Sequence, residues 1–208
     1  MTNHARAERD LLADLLVREG SDAPTLCEGW TTRDLAAHIV VRERRPDSAV
    51  GMLVKPLQEY GERIRLARAA LPYNELISQL RQPPAWSPIS NPLVEPLANT
   101  MEFFIHHEDV RRGSGDWQPR LLDREFEAVL WSNVKLIARA SLRRLGITAA
   151  IDPAGLPPVR NGADPQVTIR GDAGELALFF FGRQRATRVT IEGPADIEDR
   201  LRTARMGI

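Results

Sequence analysis

The chain has 208 residues, enough for one large domain or two small ones with a substantial buried core. Its 28 basic side chains balance 28 acidic ones, and the balance holds on both sides of Gly146, so no surplus draws it to nucleic acid or an anionic membrane. A single cysteine, Cys27, excludes a disulfide scaffold, and the longest apolar run, Leu176 to Phe181, is far below the ~20 residues that cross a bilayer. The polar opening Met1 to Arg9 has no apolar leader core; the expectation is a cytoplasmic protein with neither a membrane nor a nucleic-acid partner.

Leu11, Leu12, Leu15 and Leu16 recur at three and four residues, which predicts a helix over Ala5 to Arg18 with those leucines as its buried stripe, ended by Gly20. Thr31 and Asp34 have the spacing of a capping box for a second helix, which carries Leu35, His38 and Ile39 on one face and stops at Pro46. Val50 to Gln82 reads as two shorter helices interrupted by Pro56 and Pro72, and the proline-rich stretch Gln82 to Pro96 as irregular chain. A helix resumes from Leu97 to Arg112, and a longer one follows from Leu122 to Leu145. Four main helices predict a bundle over residues 1–145.

The pattern changes at Gly146. Ile147 to Ile151, Gln166 to Arg170 and Arg188 to Glu192 read as strands, Leu156 to Pro165 as a loop, and Gly171 to Phe181 and Pro194 to Arg205 as helices. Residues 146–208 are therefore expected to form a small α+β module, and the chain to be mainly α. So apolar a segment as Leu176 to Phe181 should need cover beyond its own module, which suggests packing on the bundle beside the candidate site. Trp30, Trp86, Trp117 and Trp131 read as core or pocket-wall residues.

Chemistry concentrates around three residues. Glu102 and His106 are four apart in a predicted helix, so their side chains lie on one face and can share an ion. His38 would complete two imidazoles and a carboxylate, the ligand count of an open zinc site that also suits nickel, cobalt or iron. Helix periodicity does not bring His38 to Glu102, and a histidine on a leucine stripe can equally be a hydrogen-bonded core residue. Asp109 falls on the His106 face and can orient that ring from behind. His107, ~100° further round the helix, points elsewhere, as does Glu108.

The segment Leu26-Cys27-Glu28-Gly29-Trp30-Thr31-Thr32-Arg33-Asp34-Leu35-Ala36-Ala37-His38, followed by Glu102-Phe103-Phe104-Ile105-His106-His107-Glu108-Asp109-Val110-Arg111-Arg112, resembles the mycothiol-dependent maleylpyruvate isomerase family, within the DinB-like metal-binding four-helix bundles of actinobacteria. Gly171 to Arg183 and Ile191 to Leu201 resemble that family's smaller C-terminal domain. The resemblance implies metal ligands at His38, Glu102 and His106, zinc as the first candidate cation, and mycothiol as a possible thiol cosubstrate. It also implies a transferase or isomerase in which the cation holds a small-molecule thiol as thiolate against an electrophile, whose identity the sequence does not give.

In that chemistry the nucleophile comes from the cosubstrate, so Cys27 reads as a packing residue beside Trp30. Arg183 and Arg42 are the candidate donors for an anionic substrate. Two alternatives use the same three ligands. One is a metal- or ligand-binding module without catalysis; the other is a metal hydrolase with Glu108 or Asp109 as base.

Overall fold

The computed structural model describes residues 3–45, 47, 58–91 and 94–207. The protein is mainly helical with a small α+β region at its C-terminal end, as the sequence predicts. It divides into two compact units, Met1–Trp117 and Gln118–Ile208. The division falls ahead of the long helix that the sequence analysis assigns to the bundle.

In the first unit, α1 (His4–Glu19) is capped by Asn3, whose side chain accepts from the Arg6 N–H at 3.1 Å. Leu12, Leu15 and Leu16 are buried, but Leu11 is 46% exposed. It lies on the flank of a stripe narrower than four leucines suggest. α2 (Thr32–Arg44) starts where Asp34 Oδ2 accepts the Thr31 N–H at 3.0 Å and hydroxyl at 2.8 Å, the acidic half of the expected capping box. Its inner face buries Leu35, Ala36, Ile39 and Val40.

α3 (Gln58–Ala69) and α4 (Tyr73–Arg81) pack on α2, with Pro72 between them. The predicted stop at Pro46, start at Val50 and break at Pro56 lie outside the described residues. Within the stretch expected to be irregular, Pro88–Ser90 forms a 3-10 turn and Glu95–Ala98 a short helix, α5. α6 (Thr100–Arg111) then runs along α1. Among the described residues the first unit's helices are thus α1, α2, the α3–α4 pair, α5 and α6.

A buried ion cluster ties these helices together. Arg9 of α1 donates to both carboxylate oxygens of Glu43 on α2 at 2.8 and 2.6 Å, to Glu95 of α5 at 2.9 Å, and to the Leu80 carbonyl of α4 at 2.9 Å. Its guanidinium also lies 4.4 Å from the centre of the Phe103 ring.

The loop from Ser21 to Trp30 is held against the end of α6, with the Leu26 N–H donating to the Asp109 carbonyl at 3.0 Å. Gly113 makes this approach possible, because a Cβ there would run into the Pro24 carbonyl. Gly113→Ala should therefore push the loop off α6 and cost about 1–3 kcal/mol, the usual cost of overpacking; urea unfolding of the two proteins measures the difference.

In the second unit, α7 (Arg124–Leu145) begins at Asp123, which accepts the Phe126 N–H at 2.8 Å, and ends at left-handed Gly146. Strands β1 (Ala149–Pro153), β2 (Val159–Asn161), β3 (Val167–Gly171) and β4 (Thr190–Glu192) form one sheet in the order β2-β1-β3-β4. β1 and β3 are parallel and the outer pairs antiparallel. β2 corrects the reading of Leu156 to Pro165 as loop. α8 (Ala173–Phe180) is buried along its length and packs on α7 and β3, and α9 (Ala195–Thr203) follows β4. The apolar run from Leu176 is therefore covered by α7 within this unit. Among the described residues no helix is long and apolar enough to cross a membrane.

Candidate metal centre

Two helices of the first unit bring the predicted donors together. His38 lies at the middle of α2, while Glu102 and His106 occupy successive turns of α6. His38 Nε2 is 3.1 Å from Glu102 Oε1, and His106 Nε2 is 3.3 Å from the same oxygen. The two imidazole rings meet edge to face with centroids 5.2 Å apart. One ligand atom from each of the three residues lies within 4.8 Å of the others, close enough to surround one cation.

The groups around this cluster set its electrostatics. Burial lowers the His38 pKa, and the neighbouring charges of His106 and Arg42 act in the same direction, so His38 is held neutral against the pull of Glu102. Burial would also discharge Glu102, but hydrogen bonds from His106 and His38 and the charges of His106 and Arg42 hold its carboxyl well below the usual range. For His106 burial opposes the proton, yet Asp109, Cys27 and Glu102 together raise its pKa well above the ordinary value. Without a cation, a protonated His106 faces an ionised Glu102. A neutral imidazole, a carboxylate and an imidazole that must shed a proton match the donor chemistry of a catalytic zinc site.

A cation bound by these three side chains would have to displace that proton. Below the raised His106 value, apparent zinc affinity should therefore fall about tenfold per pH unit. Competition with a chelator of known affinity at several pH values measures the slope, and a flat profile would show that His106 is not a ligand.

Asp109 stands behind His106: its fully buried carboxylate lies 3.0 Å from His106 Nδ1. That contact leaves Nε2 to face Glu102 and His38. Cys27 is more than the packing residue expected, since its thiol donates to Asp109 Oδ2 at 3.2 Å. Trp30, on the same loop, does wall the cluster: its ring is 5.2 Å from that of His38, with the Arg65 guanidinium 4.8 Å from the indole. Trp86, by contrast, is 62% exposed and belongs to no core.

Arg42 is part of the cluster, with Nε 3.4 Å from Glu102 Oε1 and a second nitrogen donating to Asn99 Oδ1 at 2.6 Å. Arg183 lies in the second unit, where it donates to the Phe181 carbonyl at 2.6 Å. His107 turns to α1 and meets Glu8 Oε2 at 3.1 Å. Fully buried Glu108 accepts from Arg111 at 2.8 and 2.9 Å and from Arg112 at 2.7 Å. His107→Ala should consequently keep the donor cluster intact while leaving Glu8 buried without this partner, a loss of about 1–3 kcal/mol. Zinc stoichiometry and thermal unfolding of the variant separate the two effects.

Comparison with protein families matches residues 2–83 to the mycothiol maleylpyruvate isomerase N-terminal domain. The match contains His38 and the Cys27–Trp30 loop and ends before Glu102 and His106. Neither the curated proteins nor the solved structures provide a match for the chain.

Proposed function

We propose, from the match of residues 2–83 to the mycothiol maleylpyruvate isomerase N-terminal domain and from the donor geometry, that the protein binds one divalent cation, zinc in the first instance, at His38, Glu102 and His106 and uses it in thiol chemistry. The reaction class is a mycothiol-dependent transferase or isomerase acting on an electrophile. One observation carries this reading: imidazole nitrogens from two different helices converge on a single Glu102 oxygen, at 3.1 and 3.3 Å.

A bound cation would supply Lewis acidity, lowering the proton affinity of a small thiol so that it reacts as thiolate at neutral pH. The chain's own side chains prepare the place. His38 offers a neutral nitrogen, Glu102 stays ionised between the histidines, and Asp109 fixes the His106 ring. Three protein donors leave a further position for a ligand. Arg42 sets a positive charge beside Glu102, where it can also attract the carboxylate of an anionic electrophile. Trp30 gives the cluster an aromatic wall that limits water around it.

The two candidate bases of the hydrolase alternative are otherwise engaged. Glu108 is held by two arginines, and Asp109 by His106 and Cys27. This favours thiol chemistry, in which the cosubstrate brings the nucleophile and the protein needs no base of its own.

Calorimetry with mycothiol, run in buffers of different ionisation enthalpy, tests the reading. A free thiol of pKa near 8.5 is mostly protonated at neutral pH, so binding as thiolate should release about one proton. Glu102→Gln should reduce binding strongly, and Asp109→Asn less. Saturating mycothiol without detectable binding to the zinc-loaded protein would refute the proposal.

A further inference from the structure

A second set of donors adjoins the first and shares one residue with it. His106 presents Nε2 to Glu102 and Nδ1 to Asp109 Oδ2, at 3.3 and 3.0 Å. Cys27 Sγ lies 3.2 Å from the same Asp109 oxygen. One ligand atom each from Cys27, His106 and Asp109 falls within 4.8 Å of the others. A tetrahedral site with bonds of about 2.0–2.3 Å spaces its donors by about 3.3–3.8 Å, so the two contacts to Asp109 Oδ2 have to open by only a few tenths of an ångström to admit an ion.

Hydrogen bonds from the Leu26 and Cys27 N–H groups hold the backbone that carries this thiol. The Leu26 N–H is bound to the Asp109 carbonyl at 3.0 Å, and the Cys27 N–H donates to the Thr25 hydroxyl at 3.2 Å. That hydroxyl in turn donates to the Trp30 carbonyl at 2.9 Å. Asp109 is fully buried and His106 nearly so, whereas Cys27 is half-buried and gives the set a side open to solvent.

We propose that Cys27, His106 Nδ1 and Asp109 form a second cation site, selective for thiophilic divalent ions such as cadmium. A thiolate donor prefers soft and borderline cations over magnesium or calcium. Thiolate and carboxylate together neutralise a dication in a place where an unpaired charge would be costly. Because the site uses Nδ1, it needs neither His38 nor Glu102, so His38→Ala separates its failure from a failure of the thiol chemistry proposed above.

Cadmium titration of the full chain, followed by the ultraviolet thiolate-to-cadmium charge-transfer band, tests it. Cys27 is the sole cysteine, so any such band reports this residue. The band should saturate near stoichiometric cadmium, disappear in Cys27→Ser and persist in His38→Ala. It should need at least about tenfold more cadmium in Asp109→Asn, the factor expected for losing one charged ligand, with far-ultraviolet circular dichroism confirming the fold. Absence of the band in the wild-type protein would overturn the proposal whatever the variants do. A band in correctly folded Asp109→Asn that saturates as in wild type would also overturn it, because it would show a solitary thiol binding adventitiously.

Discussion

His106→Ala should yield protein that holds no stoichiometric zinc, and His38→Ala should behave the same way. Each removes one of the three donors gathered around Glu102 Oε1, and two ligands are too few for tight catalytic-type binding. The His106 change goes further, because it also removes the Nδ1 contact to Asp109 and leaves that carboxylate with one fewer partner in a fully buried position. His106→Ala should therefore lose stability as well as metal, by about 1–3 kcal/mol. His38 is half-buried and bonded to Glu102 at the edge of the cluster, so its loss should fall mainly on the metal. Elemental analysis of the purified variants measures the first effect and urea unfolding the second. One zinc per chain in both variants would show the ligand assignment to be wrong.

The largest expected loss of stability lies away from the site, at Arg9. Its guanidinium is 2% exposed and serves Glu43, Glu95 and the Leu80 carbonyl. Arg9→Ala removes the cation that, among the described residues, compensates the buried Glu43, and opens a cavity beside Phe103. Breaking a buried pair by deleting one partner costs about 3–5 kcal/mol, a large part of the ~5–15 kcal/mol that stabilises a whole domain. Replacing Arg9 and Glu43 together by apolar residues of similar length should cost much less, since no buried charge then lacks its opposite. Thermal unfolding of the single and double variants decides between these outcomes. A single-variant loss below about 1 kcal/mol would mean that the cluster is hydrated rather than buried.

Helix periodicity made Glu102, His106 and Asp109 legible as one face, because all three lie on α6 and local spacing determines which side chains align. His38 is different: it and Glu102 are 64 positions apart on two helices, so ligand type nominates it and the family resemblance implies it, but helix spacing cannot bring the two together. Cys27 reads as packing in the sequence, because its contact with Asp109 spans 82 positions and leaves no local trace. Arg9 and Glu43 look like ordinary solvated helix charges in the sequence, and only tertiary packing buries them. Amphipathicity revealed α7 as a helix with one buried face but not which core it would cover; Phe126, Leu130 and Val134 face the second unit's core, with α8 against them. β2 escaped because three residues between prolines and glycines are too few to show an alternating pattern.

On the proposed assignment, His38, Glu102 and His106 hold a cation whose remaining position takes a thiol. Titrating cobalt-substituted Cys27→Ser protein with mycothiol tests it most directly, since cobalt makes the coordination visible and the substitution removes the protein's own thiol. A thiolate-to-cobalt charge-transfer band that grows to saturation with mycothiol, and is absent from His38→Ala in the same background, is the predicted result. Unchanged cobalt spectra at saturating mycothiol in fully loaded protein would contradict it.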